Sequence, residues 1–366
     1  MADFRQYVQQ VRTGDRPLTR SEANAALREM LTGNAADDDI AALLTAMATR
    51  GETVAELTGF AEAMRSLSVP VPLTEAERAT LVDTCGTGGD GKGTFNISTG
   101  AALVAAAAGA RIAKHGNRGV TSRCGSADVL EALGVAIALP VEQAAECLRS
   151  TGFTFLYAPL LHPALKRVQA VRKALGFRTI FNLAGPLSNP ADASAQVMGV
   201  FAAECLGLVG ESMASLGVRH ALVVHGLDGL DELTLSGETL VAEVRSNDSE
   251  LEPTDVDERD RRVPSDVIHF RVSPADAGLG EATLGQLQGG QTAGENAAIL
   301  EAILRGEKGP KRDIVVLNAA AALVVAGLAP DFHSGAERAA EAIDGGAARK
   351  TLTALRDFSK MAAAVK

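Results

Sequence analysis

The chain has 366 residues, 46% hydrophobic and 22% charged, a make-up that excludes a disordered chain or a small cross-linked scaffold and fits one large or two ordinary folded domains. Its net charge of −10 argues against a general binder of nucleic acid or of anionic membranes. Cys85, Cys124, Cys147 and Cys205 show no paired spacing, so no structural zinc and a reducing compartment, the cytoplasm, are expected.

The opening MADFRQYVQQVRTGD has no apolar signal core, so no leader is expected. Helices are predicted through residue 70. Thr19 and Glu22 predict a capping box ahead of Ala23, Ala26, Leu27, Met30 and Leu31, with Gly33 as the stop. A second stripe, Ile40, Leu43, Leu44 and Met47, ends near Gly51. Thr53 and Glu56 open a third, carrying Val54, Leu57, Phe60, Met64 and Leu67. Val69-Pro70-Val71-Pro72 then reads as a stiff extended connector and a hinge.

From Leu81 short apolar runs alternate with helix-length segments. LVD, RIAKHG, ALVVHG from Ala221, VIHFRV from Val267 and DIVVLN from Asp313 are predicted as strands, with a helix from about Thr99. The fold class is therefore α/β: a small all-helical N-terminal domain hinged to a larger α/β domain with a mainly parallel central sheet. The polar stretch 245–264 is expected to be an exposed loop, and AALVAAAAGA from Ala101 is too short to span a bilayer.

Charge is unevenly distributed along the chain. Residues 91–127 contain no acidic side chain but carry Lys92, Arg111, Lys114, Arg118 and Arg123, and residues 147–191 likewise carry six basic residues and no acidic one. Such stretches in an acidic protein point to small anions, with solvated surface as the plain alternative.

GTGGDG at Gly86–Gly91 fits a dinucleotide fingerprint by letter, yet its helix begins too late and the next strand ends in Lys114 rather than an acidic residue. GTGGDGKG nearly fits a nucleotide P-loop, but Gly93 stands where a hydroxyl should meet magnesium. What survives is a glycine loop whose amides can crowd around phosphate, with Asp90 needing a cation or hydroxyl between itself and that anion. A tight turn with an Asx cap is the alternative.

Three further segments can hold anions. Asn96-Ile97-Ser98-Thr99 opens a helix that Ser98 or Thr99 could cap. Lys114-His115-Gly116-Asn117-Arg118 ends a strand with a charge, an amide and a guanidinium. Thr121-Ser122-Arg123-Cys124-Gly125-Ser126 leads into the helical ADVLEALG.

Taken in order, DTCGTGGDGKGTFNIST, KHGNRGVTS, GSADVLEALG, HPALKRVQAVRKALGFRTIFNLAGPLSNP and HGLDGLDE resemble the anthranilate phosphoribosyltransferases of tryptophan biosynthesis, and the resemblance runs through most of the chain. It implies a helical domain over 1–72, completed by about 165–190, and an α/β domain over 80–164 and 191–366 that binds phosphoribosyl pyrophosphate. It also implies a homodimer, two magnesium ions, and transfer of phosphoribose to the amine of anthranilate. By position, Gly86, Gly89, Asp90, Thr94, Asn96, Ser98, Thr99, Lys114 and Ser126 match the pyrophosphate and sugar site. Asn117 and Arg172 match the anthranilate site, with Gly86 between the two. Ser98 matches one magnesium ligand, and Asp231 with Glu232 the other. Ile97, His115, Gly116, Arg118 and Ser122 flank these and complete the binding candidates. Cys124 departs from the serine expected there.

The chemistry needs such groups. Losing pyrophosphate from the anomeric carbon builds cationic character on the sugar and charge on the leaving group. Lys114, oriented amides and magnesium on Asp231 and Glu232 answer that charge. Arg172 can grip the acceptor carboxylate, and the amine, unprotonated near neutral pH, needs no strong base. His115 and His162 could act on the amine or support the loops. Two competitors share the architecture. A pyrimidine nucleoside phosphorylase would carry KHSTGG in the first loop, and a non-catalytic nucleic-acid-binding relative should be basic with eroded motifs.

Overall fold

The computed structural model describes residues 4–14, 16–119, 123–246 and 265–364. Four helices open the chain: α1 (Phe4–Thr13), α2 (Arg20–Thr32), α3 (Asp37–Arg50) and α4 (Val54–Ser66). Thr19 with Glu22 and Thr53 with Glu56 each satisfy two orphan amides reciprocally, and Gly33 closes α2 at φ 86°. The apolar stripes face inward, with Leu27, Met30, Leu43, Leu44, Leu57 and Phe60 fully buried. At Gly59 a Cβ would overlap the Arg20 carbonyl, so the missing side chain lets α4 approach α2. The extended connector after α4 is fastened at its start, because the Val69 amide donates to Leu161 at 2.8 Å.

Seven strands form one sheet: β1 (Leu81–Asp83), β2 (Arg111–Gly116), β3 (Phe153–Tyr157), β4 (Ala195–Gly199), β5 (His220–Gly226), β6 (Thr239–Ser246) and β7 (Ser265–Val272). Their order is β3-β2-β1-β4-β5-β6-β7, parallel through β5 and antiparallel from β5 to β7. Strand order reverses between β1 and β4, where Val82 lies opposite Ala195. Connections leave these two neighbours in opposite directions, which opens a crevice at their carboxyl ends.

One expected strand is a helix. DIVVLN lies inside the Pro310–Val325 helix, every residue of which from Ile314 to Val325 is buried. A short apolar run does not distinguish a buried strand from a helix enclosed on all sides, and Pro310 at the first helical position was the signal for the latter. This helix packs along the Ile97–Ala107 helix, and the contact is close because Gly100 faces Val315. The expected loop at 245–264 falls almost wholly outside the described residues, since β6 continues to Ser246.

Apolar side chains gather into two cores. One holds the central helices and one face of the sheet. The other joins α1–α4 to Val168, Val171, Phe181 and Leu183 and to the opposite sheet face at Met198 and Val223. The Lys166–Leu175 helix rests on α3 and α2, and the Phe181 ring meets Phe60 edge-on at 5.7 Å. The segment bearing Arg172 is thus carried by the helical layer.

Candidate active site at the strand-order reversal

β1 ends in Asp83 and delivers the glycine loop into the crevice. Gly88, Gly89, Gly91 and Gly93 all have φ between 63° and 82°, a region that strains any residue with a Cβ. A Cβ on Gly86 would come within 2.9 Å of the Gly199 carbonyl, and one on Gly199 would overlap the Asp231 carbonyl. The Thr87 amide donates to Gly199 at 2.9 Å. The β1 loop, the end of β4 and the turn after β5 therefore meet backbone to backbone.

Three carboxylates converge at that meeting. Asp90 accepts from the Lys92 amide at 3.0 Å and from the Asp231 amide at 3.4 Å, and Glu232 accepts from the Ser98 amide at 3.2 Å. Asn318, from the central helix, holds Leu233 through both its amide groups at 3.0 and 2.9 Å, which fixes the turn. Burial, then the neighbouring charges of Glu232 and Asp90, pushes Asp231 well above the usual carboxylate range. Burial pushes Glu232 up to about 7 despite the opposing charge of Lys114. Crowded oxygen donors that repel one another suit a hard divalent cation such as magnesium.

Lys114, on β2, is 2% exposed. Its ammonium donates to the Thr84 carbonyl at 2.8 Å, the Thr84 hydroxyl at 2.9 Å and, more weakly, the Ser98 hydroxyl at 3.4 Å. Burial lowers its pKa, and the charges of Cys85, Asp83 and Glu232 oppose that. All three of its hydrogen-bond partners are neutral, so Asp83 and Glu232 balance its charge only through space, without a direct ion pair. Asp83 lies below, accepting from the His115 amide at 3.1 Å and from Asn189 at 2.8 Å, and burial raises it to about 6.

The Ile97–Ala107 helix begins two residues earlier than expected. Asn96 is its N-cap without a side-chain cap bond, so Ser98 and Thr99 lie in the first turn and do not cap it. The Asn96 amide group is instead drawn to the Cys124 carbonyl at 3.0 Å. Asn96 Oδ1 and Thr99 Oγ1 are buried without a partner, as expected where a polar ligand completes the site. Ile97 sits behind the crevice, its side chain in the core and its amide bonded to Phe95. Thr94 bridges to Gln288.

A Cβ on Gly116 would overlap the Ser126 hydroxyl, which donates to the Asn117 carbonyl at 3.3 Å, so Gly116 lets these two segments touch. Arg118 is spoken for: it pairs with Asp128 at 2.9 Å and Glu131 at 2.8 Å, which cancels one charge of the acid-free stretch. Ser122 lies outside the described residues.

On the helical side, the Arg172 guanidinium lies 4.8 Å from the centroid of the Phe181 ring. No hydrogen bond or ion pair joins it to any other described residue, and burial lowers its pKa. The His115 and His162 rings lie 5.1 Å apart, and burial pushes them down to about 3 and 4, so both are neutral. The structure thus gathers Gly86, Gly89, Asp90, Asn96, Ser98, Lys114, Asp231 and Glu232, with Asn117 and Ser126 beside them. Thr84, Asp83, Asn189, Gly199 and Asn318 were missed by sequence reasoning. A lone Asn amid the apolar VVLNAAAA, and an Asp closing an apolar strand, were the available signals.

Cys124 contributes its carbonyl to Asn96, while its thiol lies against the Gly125 carbonyl at 3.6 Å. Cys124→Ser keeps the carbonyl, so it should shift the apparent affinity for a phosphorylated substrate by less than about tenfold; steady-state kinetics checks this.

Residues 78–349 match the glycosyl transferase family α/β domain, and residues 5–68 its helical bundle domain. The chain is 47% identical over 343 residues to the anthranilate phosphoribosyltransferase of Symbiobacterium thermophilum, covering 93% of this chain and 94% of that one. The anthranilate phosphoribosyltransferase of Thermus thermophilus superposes with a TM-score of 0.85 at 41% identity, over 97% of this chain and 99% of that one. The Saccharomyces cerevisiae enzyme in complex with PRPP and Mg superposes at 0.84 with 26% identity, and with 4-fluoroanthranilate at 0.80 with 25%, each over 98% of both chains.

Proposed function

The chain belongs to the anthranilate phosphoribosyltransferase family of glycosyl transferases, and from that premise we propose how its residues carry phosphoribose from phosphoribosyl pyrophosphate to the amine of anthranilate, releasing pyrophosphate. The observation that carries the proposal is the convergence of a glycine cradle, three carboxylates and a buried ammonium with only neutral partners. The amides of the Gly86–Gly91 loop and the first turn after Asn96 receive the diphosphate and sugar phosphate, with Ser126 and Asn117 at the edge. Lys114 opposes the negative charge that grows on the departing pyrophosphate. Arg172 takes the anthranilate carboxylate in its planar fork and turns the amine toward the anomeric carbon. His115 and His162, neutral and buried, leave the amine nucleophilic and exclude water. Two bound magnesium ions, one offered Ser98 and the other Asp231 and Glu232, would neutralise the diphosphate.

Mixing the protein with phosphoribosyl pyrophosphate, magnesium and anthranilate should quench anthranilate fluorescence with equimolar release of pyrophosphate. No loss of fluorescence would refute the assignment. A nucleoside phosphorylase would instead cleave thymidine in phosphate, and a nucleic-acid binder would shift DNA in a gel at physiological salt.

Stability should also report the metal. The folded protein binds protons on Asp231 and Glu232 more tightly than the unfolded chain does. For Glu232 that contribution is full below about pH 4 and lost as pH rises through about 7, and Asp231 is shifted in the same direction. Millimolar magnesium should therefore raise the thermal midpoint at pH 8 and leave it unchanged at pH 5, as scanning calorimetry would show. Equal shifts at both pH values would contradict the carboxylate assignment.

The homodimer belongs to the same proposal. The groove of about 660 Å³ between α1 and α3, lined by Val11, Ala41, Ala42 and Ala46, supports association through the helices. A cytoplasmic setting is supported by four cysteines that form no disulfide with one another, and no helix of the described residues is long and apolar enough to cross a membrane.

A further inference from the structure

Arg178 has no part in the machinery above. It lies between the Lys166–Leu175 helix, which carries Arg172, and the Phe181–Ala184 helix. Its guanidinium donates to the Gly89 carbonyl at 2.6 Å and lies over the Phe201 ring, 3.9 Å from the centroid. Phe201 follows Gly199, which itself touches Gly86. One side chain therefore fastens the acceptor-side segment to the donor loop and to the end of β4.

That fastening falls where the loop has no other. Thr87 is held by Gly199 on one side, and the Asp90 carboxylate is held by the Lys92 and Asp231 amides on the other. Between them Gly88 and Gly89, both at positive φ, have no hydrogen-bond partner among the described residues except Arg178. Consecutive glycines lose more conformational freedom on ordering than any other pair, so a loop without the tether would sample many shapes. The peptide unit is planar and trans, so a Gly89 carbonyl turned toward Arg178 sends the Asp90 N–H the opposite way. No described residue accepts from that N–H.

We propose that Arg178 is a positioning residue that sets the Gly89–Asp90 peptide for the sugar donor and makes the two substrates reinforce each other's binding. The proposal rests on the phosphoribosyl transfer reading above. Because Arg178 and Arg172 share one segment, a carboxylate on Arg172 steadies the segment and, through Arg178, the donor loop. Donor binding must favour acceptor binding by the same factor. A planar guanidinium can donate in its plane while stacking on Phe201, which an ammonium cannot do.

The test is a matrix of initial rates over both substrates for wild type, Arg178→Gln and Arg178→Lys, with thermal midpoints measured alongside. In wild type the KM for phosphoribosyl pyrophosphate should fall as anthranilate rises. In Arg178→Gln that KM should rise about tenfold and no longer depend on anthranilate, with kcat within about threefold and the midpoint little changed. Arg178→Lys should recover less than half of the loss on a logarithmic scale. Should Arg178→Gln fold poorly, Phe201→Leu removes the stacking partner and should raise the same KM. Unchanged KM values and mutual dependence in a folded variant, or a loss confined to kcat, would overturn the inference alone. An inactive wild type would overturn it together with the functional reading.

Discussion

Replacing Asp231 by Asn and Glu232 by Gln together should lower turnover by about 10³-fold, a scale typical of removing one charge-stabilising element from a transition state, while leaving the KM for anthranilate within about threefold. Both replacements keep size and shape. The turn keeps its Gly199 contact and its two Asn318 bonds, so the fold has no reason to suffer. What disappears is the negative charge that a divalent cation needs, so the magnesium concentration for half-maximal rate should move upward. Without metal the double variant should be at least as stable as wild type at pH 8, since two carboxylates whose pKa values are raised by burial and by the nearby Asp90 charge have been neutralised. Initial rates across a magnesium series, with thermal unfolding alongside, would check this. Turnover within threefold of wild type would remove these residues from the reaction.

Arg172→Ala should raise the KM for anthranilate about 30-fold or more, because the carboxylate loses a charge-assisted pair of hydrogen bonds, and should leave the KM for phosphoribosyl pyrophosphate at the wild-type value for low anthranilate, no longer lowered as anthranilate rises. No described residue gives Arg172 a carboxylate. Its one described contact is the Phe181 face, so the cost in stability should be no more than about 1 kcal/mol. Arg172→Lys should rescue poorly, since a point charge does not reproduce the planar fork. Benzoate-like inhibitors should weaken in parallel in the alanine variant, whereas analogues without a carboxylate should not discriminate between the two proteins. An unchanged KM for anthranilate would place the acceptor elsewhere.

Local chemistry explains what could be read from the sequence. Thr19 with Glu22 and Thr53 with Glu56 announce their helices because the capping groups sit within one turn of each other. The glycine loop was legible for the same reason: backbone freedom is written in the residue type, and Gly88, Gly89, Gly91 and Gly93 all use it. The Pro310–Val325 helix was misread because burial on every side erases the periodicity that separates helix from strand. That misreading also hid Asn318, which reaches Leu233 across 85 positions. Thr84 and Asn189 escaped because their roles depend on which strands lie side by side. Lys114 finds Thr84 only because β2 pairs with β1, and Asn189 reaches Asp83 from 106 residues away. Arg118 shows the converse: a basic residue counted toward an anion site is claimed by Asp128 and Glu131 once the chain folds.

At the centre lies the joint action of backbone amides, the Lys114 ammonium and a cation on Asp231 and Glu232 in holding the sugar donor at the β1–β4 crevice. Titrating phosphoribosyl pyrophosphate into the protein in a calorimeter, with magnesium and then with the ion chelated, tests it most directly. Saturable binding of one donor per chain with magnesium, weakened by about tenfold or more without it, is the predicted result. No binding, or the same affinity in both titrations, would contradict it.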